Sequence, residues 1–398
     1  MQAWPQHTAH LMPWMSARRS GPREDRMLTE VTVSVPPEIA GLTPPQMPER
    51  DLARARWEAR DLERVAGGVL TPLAGFLIRM ESVASSRIEH VEATPVAFAR
   101  AIGGLKENQS AMSMVAAGAA ITKLIDASSE TITLEEILAA HTALMMNDPE
   151  SAERRTAGQI RDVQNWIGGA KHSPRNALYV PPPPETVPGL LADLLVFSNR
   201  DDVEPITQAA IAHAQFESIH PFTDGNGRIG RALIGAILNR RGVTPHTVLP
   251  VASALAADTT HYFSLLTAYR QGDVEPIVTD LALCVETAAR EARGTARAFA
   301  QYEDAWRERV TPRAGSAADR ILPALIGLPV FTIEQLAEAT GILERSVYRG
   351  VEVIEGHQVV AAVTERVRGR TYAAMDVLDE FEDLDSRIRE RITRLRTV

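Results

Sequence analysis

The sequence predicts a mainly α-helical protein with one β-hairpin and a small α+β unit at its C-terminal end. Three observations carry this expectation. Apolar residues return at helical spacing through most of the stretch from Asp51 to Val310. The one interruption, Gly158–Pro184, sets short apolar runs against turn residues. Beyond Thr311-Pro312-Arg313-Ala314-Gly315-Ser316 the pattern changes to helix, helix, turn, helix and two strands.

The residues before Met27 mix His7, His10 and Pro13 with arginines that follow rather than precede the few apolar positions, so they lack the layout of a signal peptide and are expected to form a loose tail, 1–27. A Pro-rich extended segment from Val35 leads into a helix over Asp51–Val65. Thr71-Pro72 opens the next, expected to run as one helix to Thr94-Pro95. Helices follow over Pro95–Gly103, Ser110–Ile125 and Thr133–Met146, the last opened by the capping-box pattern Thr133-Leu134-Glu135-Glu136. In Gly158–Pro184, Trp166-Ile167-Gly168-Gly169 and Ala177-Leu178-Tyr179-Val180 flank a polar turn and predict the hairpin. The four prolines after it suit a stiff connection or a polyproline ligand. Helices are expected again over Val187–Phe197 and Pro205–Ile219, after Gly225, over Thr259–Asp273 and over Pro276–Val310. Ala318–Ile326, Ile333–Thr340 and Glu344–Ile354 with strands His357–Val363 and Gly369–Ala373 have the order of a winged helix-turn-helix, followed by a charged helix from Val377. The expected domains are a 28–125 helical domain, a 126–310 core and a 311–398 winged helix with its terminal helix.

Composition bounds the function. The 398 residues are 45% apolar and 23% charged, enough for two or three packed domains, and the net charge of −9 excludes a general positive field for nucleic acid or membranes. Cys284 alone cannot form an internal disulfide, which fits a reducing cytosol, and no apolar run is long enough to span a bilayer. Residues 313–398 hold 12 Arg against 14 Asp plus Glu, so any DNA contact through 313–375 must be local: Arg345 and Arg349 on the second helix of the turn, Arg366, Arg368 and Arg370 at the wing.

The densest chemistry is His220-Pro-Phe-Thr-Asp-Gly-Asn-Gly-Arg-Ile-Gly-Arg231. Gly225-Asn226-Gly227 leading into a helix leaves backbone N–H groups at a positive helix end, suited to phosphate. Arg228 and Arg231 fall on neighbouring positions of its first turn, Asp224 is placed to hold a divalent metal, and His220 to act as a general base. Gly225, Gly227 and Gly230 also spell G-x-G-x-x-G, but a dinucleotide site needs a strand before them, and a helical pattern stands there. Singly, each residue has an ordinary structural alternative: a packed histidine, a helix cap, solvated arginines. His213, two turns before His220, reads as a core histidine or a site-lining one; His141, His172, His246 and His261 show no ligand spacing.

This run resembles the Fic motif, H-P-F-x-D/E-G-N-G-R-x-x-R, at every fixed position. The resemblance implies AMP transfer from ATP to a Ser, Thr or Tyr hydroxyl of a target protein or of the chain itself. It assigns His220 as base, Asp224 to Mg²⁺, Gly225, Asn226, Gly227, Arg228, Gly230 and Arg231 to the phosphates, and Phe222 to packing of the loop. Relatives that act as kinases carry Lys in place of Gly227. Trp166, Ile167, Gly168 and Gly169 resemble the Fic flap, which pairs with the target's main chain. Ser85-Ser86-Arg87-Ile88-Glu89 resembles the inhibitory S/T-x-x-x-E-G/N motif, in which the glutamate pairs with the second arginine, here Arg231, and misaligns ATP. The sequence departs from that motif with His90 where Gly or Asn is usual. Glu89 is alternatively a solvated helix carboxylate, or a group that removes AMP from a modified partner. A homodimer is the oligomer that the resemblance suggests, and a winged-helix regulator with an ATP-sensing Fic domain is the rival reading.

Overall fold

The computed structural model describes residues 4–15, 22–146, 154–364 and 369–397. In chain order the described helices are α1 (Arg23–Arg26), α2 (Glu49–Ala66), α3 (Leu70–Ile88), α4 (Pro95–Ile102), α5 (Gln109–Ala127), α6 (Leu134–Met145), α7 (Val187–Ser198), α8 (Pro205–Ile219), α9 (Asn226–Arg240), α10 (Val251–Leu255), α11 (Thr259–Arg270), α12 (Glu275–Val310), α13 (Ala317–Ile321), α14 (Ala324–Gly327), α15 (Ile333–Thr340), α16 (Glu344–Gly356) and α17 (Met375–Arg396). The strands are β1 (Thr8–Pro13), β2 (Glu30–Val35), β3 (Val330–Thr332), β4 (Val360–Ala362) and β5 (Thr371–Ala374). No described helix is long and apolar enough to cross a membrane. The chain forms two compact units that interleave: 1–52, 123–241 and 259–282 in one, 53–122, 242–258 and 283–398 in the other.

The first unit is organised around α8. Glu204 caps it by accepting from the Thr207 N–H at 2.7 Å, and Pro205 occupies the first turn, where a missing N–H costs nothing. Every residue from Ile206 to Ile219 is buried, so α8 is a central helix and its polar side chains need partners inside. They have them. Gln208 donates to the Phe197 carbonyl and accepts from Arg241, and Gln215 donates to the Pro37 carbonyl and accepts from the Tyr269 hydroxyl. Around α8 pack α7, α9, α11 and β2. The segment expected as a loose tail is ordered in part. Trp4 is buried, and β1 pairs antiparallel with β2 from Thr8↔Val35 to Pro13↔Glu30. Residues 1–3 and 16–21 lie outside the described residues.

The expected hairpin is a correction of degree. Gly158–Pro184 holds one β-bridge, Ile167↔Tyr179, rather than two strands, because Gly168 and Gly169 both take positive φ, 70° and 73°, and turn the chain at once.

The second unit contains α3, α4, α10, the later part of α12 and everything beyond it. The helix expected to reach Thr94 ends at Ile88, and the expected helix Ala318–Ile326 is two short ones, interrupted at Pro323. Thr332 and Gln335 form a capping box that opens α15. Strands β3, β5 and β4 form an antiparallel sheet in that order, with α15 and α16 between its first and second strand in sequence. Arg366 and Arg368 lie outside the described residues.

Candidate active site

The site is a loop between two helix ends. At the end of α8, His220 adopts the left-handed conformation, φ 51°, and its N–H returns to the Phe216 carbonyl at 2.9 Å. A non-glycine residue there is uncommon and strained, and it ends the helix on the imidazole that the motif singles out. Five residues on, Gly225 at φ 74° caps α9. A Cβ at Gly225 would come within 2.9 Å of Leu144 Cδ2, so both backbone angle and space demand glycine.

Asn226 closes this loop on itself. Its Oδ1 accepts from the Phe222 N–H and its Nδ2 donates to the Phe222 carbonyl, each at 2.8 Å. The side chain, 2% exposed, therefore shapes the loop. Phe222 is fully buried and stacks on His141, ring centroids 3.8 Å apart. His141 in turn holds both sides of the site. Its Nδ1 accepts from the Gly158 N–H at 2.9 Å, which fixes the other nitrogen as the donor to the Asp224 carbonyl at 3.1 Å. Burial pushes this imidazole down to about 4.

The first backbone bond of α9 runs from the Ile229 N–H to the Gly225 carbonyl, so the amides of Asn226, Gly227 and Arg228 precede it and make the positive helix end. Gly230 lies past that end. A Cβ there would stand 2.5 Å from Glu217 Oε1 and 3.1 Å from Phe216, so the glycine lets α9 pack closely on α8. Arg228 and Arg231 are both buried, and Arg228 donates to Asp224 Oδ2 at 3.4 Å. The Asp224 side chain remains 43% exposed.

The histidine is held neutral. Burial lowers His220 to about 3, with the charges of Arg161 and Arg270 acting in the same sense and the Glu217 carbonyl against them. Arg161 carried no signal in the sequence, yet it organises this side of the site. It is 3% exposed and donates to the His220 carbonyl at 2.8 Å, the Ile219 carbonyl at 3.4 Å, Val163 at 3.1 Å and Pro182 at 2.6 Å. One guanidinium thus ties both legs of the expected flap to the negative end of α8. Tyr179 adds a second tie, donating from its hydroxyl to the Ser218 carbonyl at 2.7 Å beneath the Arg270 guanidinium, which lies 3.5 Å over its ring.

In the flap, the Ile167 N–H donates to Tyr179 and the Leu178 N–H to Ile167, both at 2.8 Å, while the Val180 carbonyl accepts from the Ser34 N–H of β2. The 177–180 leg is therefore covered on both sides, and the leg through Trp166 and Ile167 has the open edge. Trp166 packs edge-on against Trp14, and Arg175 near the tip donates to the buried Asp25 at 2.8 Å. His213 is buried within 2.9 Å of the Tyr262 hydroxyl, a core position.

Ser85 and Glu89 belong to the second unit. Ser85 is buried in the last turn of α3, and Glu89 is the residue that caps it, φ −96° and ψ 19°, rather than a member of a continuing helical face. His90 takes φ 60°; its N–H bonds the Arg87 carbonyl and the Val91 N–H bonds the Ser86 carbonyl, each at 3.0 Å. That double bond is a Schellman ending, with His90 in the place glycine ordinarily fills.

Residues 131–238 match the Fic/DOC family. Among curated proteins, the chain is 33% identical over 158 residues to the protein adenylyltransferase fic-1 of Caenorhabditis briggsae, covering 39% of this chain and 27% of that protein. It is 31% identical over 161 residues to the protein adenylyltransferase Fic of Nematostella vectensis, covering 40% and 33%. The matched part thus spans a third or less of these relatives. A Fic family protein of Desulfovibrio desulfuricans shares the fold with TM-score 0.54 at 23% identity, covering 84% of this chain and 98% of that one. The loop of His220 to Arg231 falls inside the segment that matches the Fic/DOC family, residues 131–238.

Proposed function

We propose that the chain transfers AMP from ATP to a Ser, Thr or Tyr hydroxyl of a target protein or of itself and releases pyrophosphate. One observation carries this reading: the complete His220–Arg231 motif runs from the end of α8 through a short loop, with Asp224 in it, into the first turns of α9. His220 takes the hydroxyl proton as the oxygen bonds to the α-phosphorus and the bond from that phosphorus to the β-phosphate oxygen breaks. Its neutral form is the one that accepts a proton, and the negative charge of a bound triphosphate raises its proton affinity toward the working range. The amides at the start of α9, with Arg228 and Arg231, hold the phosphates.

Mg²⁺ belongs to this reading through Asp224. The Asp224 carboxylate, 43% exposed, is a hard oxygen ligand suited to an ion that takes its other ligands from phosphate oxygens and water. Asp224 would hold it, and the ion would neutralise phosphate charge. The open edge at Trp166–Gly169 would take the main chain of the target segment. Glu89 would restrain the reaction.

The test is incubation of wild type, Glu89→Gly and His220→Ala with Mg²⁺ and ATP labelled on the α- or the γ-phosphate. Protein-bound label from α only, strongest in Glu89→Gly and absent in His220→Ala, is the expected outcome. Label from γ would make the enzyme a kinase, and AMP release from modified protein that needs Glu89 would reverse the assigned direction.

A second reading rests on α16, which exposes Arg345, Tyr348 and Arg349 in a helix-turn-helix followed by two strands. In this reading residues 313–375 form a winged helix that contacts DNA. Salt-dependent anisotropy of labelled duplex DNA tests it: a flat titration at low micromolar protein dismisses it.

A further inference from the structure

The chain has a net charge of −9, yet one face of the second unit carries exposed charge of a single sign. Two stretches of that unit build it, 53–66 of α2 and 283–300 of α12. Every exposed charged side chain in them is an arginine: Arg54, Arg60 and Arg64 on α2, Arg290 and Arg297 on α12. Arg54 and Arg60 stand three residues to either side of Trp57 and Arg64 seven beyond it, so the four share a side of α2; Arg290 and Arg297, seven apart, share a side of α12.

The carboxylates of the same stretches are spent inward. Arg54 reaches Glu286 at 2.5 Å, and Arg293 bonds both Glu58 and Asp61, so these pairs set the two helices side by side. Asp61 also takes Arg64 at 2.6 Å. Glu63 accepts from the His246 N–H at 2.9 Å and the Thr247 hydroxyl at 3.0 Å, and Glu291 accepts from Arg391 at 2.7 Å. Seven arginines thus stand against five carboxylates, all five engaged, while Arg60, Arg290 and Arg297 have no carboxylate partner among the described residues. The next exposed charge along α12, Asp304, comes about 10 Å beyond Arg297. In the middle of this face the Arg293 guanidinium lies over the Trp57 ring, 5.7 Å from its centroid, and the indole is still 58% exposed.

We propose that this face binds single-stranded nucleic acid, with phosphates on Arg60, Arg64, Arg290 and Arg297 and a base stacked on Trp57. Unpaired guanidinium groups match phosphate, and an exposed indole among them matches the π-face of a base, which an acidic polypeptide does not offer and a duplex keeps inside its stack. Carboxylates, which accept from base edges and 2′-hydroxyls, are turned inward here, so neither sequence nor sugar is selected. The face lies outside residues 131–238 and 313–375, and the proposal depends neither on AMP transfer nor on a winged helix that contacts DNA.

Fluorescence anisotropy of labelled fifteen-residue oligothymidylate and oligouridylate, titrated with the full chain at several salt concentrations, tests it. Saturable binding in the micromolar range at low salt is expected, weakening as salt rises and equal within about threefold for the two sugars. Trp57→Ala and Arg60→Glu each weaken it about tenfold. Both change exposed side chains, and an unchanged melting curve for each verifies that the fold is kept. Absence of binding at about 50 µM protein in low salt overturns the proposal. So does an affinity that neither variant alters, which places the strand elsewhere on the chain. Loss in Arg60→Glu with none in Trp57→Ala, together with full displacement by polyglutamate, also overturns it and makes the face a dock for acidic polypeptides.

Discussion

Arg161 shows what a single residue contributes that the sequence does not announce. The motif was legible because His220, Asp224, Gly225 and Arg228 stand together in twelve residues, and their chemistry follows from adjacency. Arg161 stands fifty-nine positions from His220 and acquires its role from four carbonyls that only the fold collects. His141 escaped for the same reason: one histidine on an amphipathic helix has no pattern, yet its two nitrogens bridge Gly158 and Asp224. Asn226 and Gly230 were legible as motif members, and the fold adds that the side chain of one closes the loop on Phe222 and the missing side chain of the other lets α9 pack on α8. Replacing Arg161 with Met removes every one of those donors and leaves buried carbonyls unpaired, so a loss of about 3 kcal/mol of stability is expected. Arg161→Lys keeps the charge but not the planar fork and should lose less. Thermal melting of the two variants beside wild type checks the order; equal melting temperatures for Met and wild type would refute the clip.

At the scale of elements, endings decided where sequence reading and structure part. Periodicity continues past Glu89 toward Thr94, but the Schellman bonds at His90 and Val91 stop α3 at Ile88. The departure from the family pattern at this point has a physical reading: the ending is kept and the histidine bears its strain. His90→Gly should therefore stabilise the protein by about 1 kcal/mol, the cost of a left-handed non-glycine residue less the entropy glycine adds to the unfolded chain. A melting temperature that falls in His90→Gly would show that the imidazole makes a contact worth more than the strain. The flap works in the opposite direction. Its alternation of apolar and turn residues suggested two strands, whereas Gly168 and Gly169 turn so tightly that a Cβ at Gly169 would stand 2.6 Å from the Ala177 N and the Arg175 carbonyl. Gly169→Ala should lose about 1–3 kcal/mol through that clash and the positive φ. If the flap holds the target, it should also raise KM for the target more than it lowers kcat.

The whole molecule is acid-sensitive by construction, and the reason lies in its buried imidazoles. Helices and motif were readable along the chain, but the interleaving of two compact units and the pairing of β1 with β2 depend on contacts between distant segments, which periodicity does not encode. One result of that burial is that His7, His141, His213 and His220, all in the first unit, are held well below the ordinary value of 6.5, at about 3, 4, 3 and 3, each chiefly by desolvation. In the unfolded chain these groups take up protons as pH falls through 6.5, while in the fold they stay neutral to about 4 or below. The unfolded state then binds more protons, so stability is fully present above pH 6.5 and is lost as pH falls from there toward 4. Each group contributes on the order of 1.4 kcal/mol per pH unit across that window. The carboxylates held low by arginines, such as Asp202 at about 2 beside Arg200, add their losses only below the ordinary carboxylate range and do not disturb it. Unfolding midpoints in urea at pH 7, 6 and 5 should therefore fall steeply over two units, and His213→Phe, which keeps an aromatic ring in the same core position, should flatten the slope. A midpoint independent of pH in this range would mean that these imidazoles reach solvent and protonate in the native protein, and would remove the basis for a neutral His220 as well.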